Sequence, residues 1–63
     1  MEARYNVEVI EPGQDGVIAD HILARESDFD AAHALYRFCT RQFPSRVFLL
    51  TDRARVLVRS DFP

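Results

Sequence analysis

Residues 17–26, VIADHILARE, decide the fold, because they can be read in two ways. Wound as a helix, they line up Val17, Ile18, Ile22 and Leu23 on one stripe, and Ala, Leu, Arg and Glu all favour helices. Drawn out as a strand, they put Ile18, Ile22 and Ala24 on one face, interrupted by Asp20. What precedes them tips the balance towards the strand. Residues 3–9, ARYNVEV, send Ala3, Tyr5, Val7 and Val9 one way and Arg4, Asn6 and Glu8 the other, the period of a half-buried strand. EPGQDG follows, where Pro12 lacks a backbone donor and Gly13 and Gly16, the only two glycines, can take positive φ. A strand over 17–26 can pair back on the first across that short loop.

The next segment is helical by every local criterion. Ser27 precedes DFDAAHALYRFCTRQF, and Asp30 three residues later completes a capping-box-like pattern. Asp28 and Asp30 suit the positive end of the helix dipole. Phe29, Ala32, Leu35, Tyr36, Phe38, Cys39 and Phe43 fall within one half of the helical wheel, with Asp30, His33, Arg37 and Arg41 opposite. Pro44 disfavours helical geometry at Phe43 and should end the helix there.

Two more strands fit the remainder, RVFLLTDRARVLVRSD. Residues 47–50 are apolar on both faces, as in a strand covered on both sides. Residues 51–54 read as a turn without the glycine or asparagine that tight hairpins prefer. Beyond it Ala54, Val56 and Val58 alternate with Arg53, Arg55, Leu57 and Arg59. The expectation is an α+β fold of ββαββ order: a small antiparallel sheet with one amphipathic helix packed on one face, forming a single domain over residues 1–63.

Size and composition narrow the function classes. A 63-residue chain buries only about 60% of the surface its unfolded form exposes, so its stability is marginal. Val, Ile, Leu and Phe supply 19 residues, enough to fold rather than stay disordered. The single Cys39 excludes an internal disulfide framework and a multi-cysteine zinc site. The N-terminal residues lack the pattern of a signal peptide, and no apolar run approaches the ~18 residues that span a bilayer. A soluble cytoplasmic protein without membrane contact is the resulting expectation.

Net charge is −2, but residues 1–30 carry eight acids against two arginines, and residues 31–63 six arginines against two acids. All eight basic residues are arginine, which contacts carboxylates and phosphates through a planar fork. Arg53, Arg55 and Arg59 should share one strand face. There they would grip phosphates or an acidic partner, or form a wet face paired to Glu8 or Asp20. A pI near 5.5, no lysine and no interleaved aromatics rank nucleic-acid binding as the alternative rather than the leading reading.

Other chemistry has simpler explanations. His21 and His33 lack a metal-ligand spacing, and Cys39 on the apolar helical stripe reads as core packing. The two glycines of EPGQDG lack phosphate-loop spacing. The chain is therefore expected not to be an enzyme and to use no cofactor or metal. One helix covers one sheet face, so some apolar strand residues should remain uncovered, and exposed apolar patches mark interaction surfaces. The leading expectation is a protein–protein interaction module, self-associating as a homodimer or binding an unknown protein through an open sheet face or an edge strand. Tyr5, Phe48, Leu50 and Leu57 are the expected apolar contacts, and Arg53, Arg55 and Arg59 the charged rim. An oligomer-dependent pocket containing His21 or His33 is the third reading.

Overall fold

Residues 17–26 extend. The computed structural model describes residues 3–61 and runs β1 (Tyr5–Pro12), β2 (Ile18–Glu26), α1 (Phe29–Gln42), β3 (Val47–Asp52) and β4 (Arg55–Arg59). The strands form one antiparallel sheet in the order β2-β1-β3-β4. The ββαββ architecture expected from the pattern is the one observed. Strand wins over helix in β2 because every residue but Leu23 finds a partner on β1, from Ile18 opposite Pro12 to Glu26 opposite Tyr5.

The first hairpin closes as its glycines require. Gly16 sits at φ 84°, a conformation that costs any residue with a Cβ, and the Gly13 amide donates to the Val17 carbonyl at 2.7 Å. The Val17 amide donates to Asp15 Oδ1 across the same turn. β1 runs three residues past the alternating stretch, because Pro12 closes the ladder at its last position, where a missing donor matters least.

α1 is capped one residue later than the pattern suggested. Asp28, not Ser27, is extended and accepts a hydrogen bond from the Ala31 amide through its side chain. Both residues are good caps, and Asp28 also places its negative charge at the dipole's positive end. The helix stops at Gln42; Phe43 then donates its amide to the Cys39 carbonyl and Pro44 follows.

The core lies between α1 and the two central strands. Val7, Val9, Phe48 and Leu50 rise from the sheet to meet Ala32, Tyr36 and Cys39, with Tyr5 and Leu35 packed at the margin. Cross-strand pairing explains the layers: Val7 lies opposite Leu50 and Val9 opposite Phe48. Around the helix's first turns, Phe29 meets Tyr5 edge-on at 5.5 Å and stacks on His33 at 5.5 Å. Of the seven residues expected on the apolar stripe, Phe29, Phe38 and Phe43 remain exposed, because the sheet is too narrow to receive the whole stripe.

Each edge strand contains one unpaired extra residue. In β2 the partner of Val7 is Ala24 but that of Glu8 is Ile22, so Leu23 is a bulge. In β4 Leu50 faces Val58 and Thr51 faces Val56, so Leu57 is a bulge. The β3–β4 turn carries Arg53 at φ 57°, which costs a residue with a Cβ on the order of 1 kcal/mol. The Arg53 amide is held by the Arg4 carbonyl at 2.8 Å.

Candidate functional site

The face of the sheet turned away from α1 follows from the pleat. Val7, Val9, Phe48 and Leu50 point to the helix, so Asn6, Glu8 and Ile10 of β1 and Val47, Leu49 and Thr51 of β3 point the other way. Register adds Ile18, Asp20 and Ile22 from β2 and Val56 and Arg59 from β4. Among the described residues no element covers this face: α1 packs against β1, β2 and β3 from the other side.

Its surface is apolar and largely wet. Ile18 is 68% exposed, Ile22 46% and Val56 48%, with Ile10 and Val47 half-buried between them. Leu49, at the centre, is 5% exposed, and in register it lies between Glu8 on one side and Arg59 on the other. Long neighbours of this kind lay their methylene stems across an apolar centre while keeping their charged ends in water. The total accessible surface is 4757 Å², against roughly 4,200 Å² for a typical folded 7.3 kDa chain, an excess that fits a sheet covered once instead of twice.

An acid pair sits in the same face. The Thr51 hydroxyl donates to Glu8 Oε2 at 2.8 Å, and Asp20 stands on the same face of the neighbouring strand, opposite Ile10. Burial pushes the Glu8 carboxyl above its ordinary value and the neighbouring Asp20 carboxyl adds to that, while the Thr51 bond pulls it down.

The expected arginine ladder is not present. Arg53 lies in the turn, Arg55 opposite Asp52, and Arg59 opposite Leu49. Asp52 and Leu49 are three residues apart in a regular stretch of β3, so Arg55 and Arg59 emerge on opposite faces. The Leu57 bulge inverts the alternation between them. The same effect in β2 separates Ala24, which joins Val7 on the helix side, from Ile18 and Ile22.

Arg59 makes a two-pronged contact with Asp61 at 2.8 and 3.0 Å. Arg4 grips Asp52 in the same way at 2.6 and 2.7 Å, holding the Asp52 carboxyl below its ordinary value through that bond.

The expected apolar contacts also separate. Phe48, 2% exposed, and Leu50, fully buried, belong to the core beneath α1 and so are not part of the surface. Tyr5 is half-buried between Phe29 and the Arg4 guanidinium, and Leu57 is exposed in the β4 bulge. Ile18, Ile22 and Val56 occupy the open face instead. Their alternation was readable only once both bulges had fixed each strand's parity.

On the helix side, where the C-terminal end of α1 leaves the sheet, lies a groove of about 270 Å³. Val9, Leu23, Cys39, Phe43 and Phe48 line it, and His21, Glu11 and Arg46 supply its polar groups. An oligomer-dependent pocket with His21 or His33 is one expectation; His21 lines this groove within a single chain. Among the described residues, no group of three or more His, Cys, Asp and Glu side chains gathers as metal ligands, and no helix is long and apolar enough to cross a membrane.

No protein-family model matches the chain, and neither a curated protein nor a solved structure gives a significant match.

Proposed function

We propose that this chain is a protein–protein interaction module that self-associates by stacking the open sheet faces of two copies. The supporting observation is the uncovered face itself, with Ile18, Ile22 and Val56 exposed around the buried Leu49. Face-to-face stacking at ~10 Å is how sheets ordinarily bury such a surface. The chain acts in this reading by binding, not by catalysis.

Magnitude sets the strength of the contact. Four strands at ~4.8 Å spacing and roughly 20 Å long present about 400 Å² of flat face. Standard interfaces bury ~800 Å² on each partner, so the dimer is weak and concentration-dependent. The nucleic-acid reading ranks lower because its premise, a row of arginines on one face, has dissolved into a turn and two opposite faces.

Sedimentation velocity over a concentration series tests the proposal. The wild type should move from monomer towards twice 7.3 kDa, and Ile22→Lys should stay monomeric with an unchanged circular dichroism spectrum. A wild type that remains monomeric up to its solubility limit overturns it.

A further inference from the structure

We infer that the groove between the end of α1 and the β2–β1–β3 sheet binds a free α-amino acid with an apolar side chain. The groove lies on the opposite side of the sheet from the face proposed for self-association and stands independently of it. Its walls are apolar: the buried Val9, Cys39 and Phe48 and the exposed Leu23 and Phe43 line it. Leu23 and Phe43 are each about half exposed although they line a concavity, so their apolar surface is in water without a ligand. A volume of about 270 Å³ exceeds the ~150 Å³ that accommodates benzene and suits a leucine- or phenylalanine-sized molecule.

The polar groups decide the ligand's chemistry. Arg46 and Glu11 line the groove and pair with each other, so beside the His21 imidazole it presents one positive and one negative charge side by side. That arrangement complements a zwitterion: a carboxylate for the guanidinium and an ammonium for the carboxylate. A simple fatty acid would satisfy Arg46 but face Glu11 with like charge, and a simple amine would do the reverse. The Glu11 contact uses one terminal nitrogen of Arg46, and a guanidinium has five N–H donors, so a ligand carboxylate can bind without breaking the pair. The Arg46 guanidinium also lies 5.8 Å from the Phe43 ring centroid, which fixes the charge beside the apolar wall.

The test is titration of the ¹⁵N-labelled chain with L-phenylalanine and L-leucine, followed by amide shifts. 3-Phenylpropionate, phenethylamine and L-serine serve as probes lacking the ammonium, the carboxylate and the apolar body. Saturable shifts centred on Val9, Leu23 and Phe43 are expected, with at least tenfold weaker binding of all three probes. Glu11→Gln and Arg46→Gln, both on surface side chains, should each weaken binding about tenfold while leaving the remaining spectrum in place. Absence of saturable shifts at about 10 mM ligand, the range of the weakest specific affinities, overturns the inference. Equal binding of 3-phenylpropionate or phenethylamine, or shifts centred outside the groove, also overturns it.

Discussion

The two faces of this sheet are built from the same four strands, yet they are stabilised differently. On one face Leu50 is fully buried beneath a helix that brings Ala32, Tyr36 and Cys39. On the other, Leu49, its immediate neighbour in β3, is 5% exposed with no element above it among the described residues. Burial fractions this close conceal different covers: a packed apolar layer in one case, flanking side chains in the other. Displacing the first means leaving a cavity, whereas displacing the second means only letting water approach.

Shortening each leucine in turn is the strongest way to break that comparison. Leu50→Ala should cost about 2–5 kcal/mol, enough to unfold much of a domain this small. Leu49→Ala should cost less than half as much, because its flexible neighbours can close over the gap. Urea unfolding of both variants measures the difference, and equal losses would mean that the open face is packed like the core.

Weakening the cover itself sharpens the contrast with a smaller effect. Asp28→Ala removes the side-chain acceptor for the Ala31 amide and should cost about 1 kcal/mol in the same assay. Its effect should appear on the helix side, as faster amide exchange in the first turn of α1, and leave β4 unchanged.

The smallest effect comes from the acid pair of the open face. Glu8 has a raised folded-state value, so its favourable contribution is complete below the ordinary glutamate value of 4.5 and is lost as pH rises through the folded value. At neutral pH the ionised group therefore costs stability. Glu8→Gln can still accept from Thr51 and can donate to Asp20, so it should be slightly more stable than wild type at pH 7. That advantage should shrink as pH falls through the raised folded value and be gone below 4.5, which thermal melts across pH 3–8 would detect.

Much of the helix side could be read in advance. Strict alternation in residues 3–9 put Val7 and Val9 on one face, and the helical stripe found Ala32, Tyr36 and Cys39. The open face could not, for two physical reasons. Residues 47–50 are apolar at every position, so nothing local tells whether Phe48 or Leu49 points to the helix. The bulges at Leu23 and Leu57 carry no residue-type signal either, yet each shifts everything beyond it to the other face. The arginine row failed at one of those two residues. The groove was hidden for a related reason, since Glu11 and Arg46 are far apart in the chain and meet only through the β1–β3 register.

Those two bulges matter beyond side-chain direction. They fall one on each outer strand, while the β1–β3 ladder at the centre is uninterrupted. An outer strand as long and apolar as β2 would otherwise offer a continuous row of backbone groups on which further copies could add without limit. With a kink in each edge, sideways growth into fibres or amorphous aggregate meets a broken template at both ends. A small chain with this much apolar surface can then remain dispersed at the concentrations that the proposed weak dimer requires.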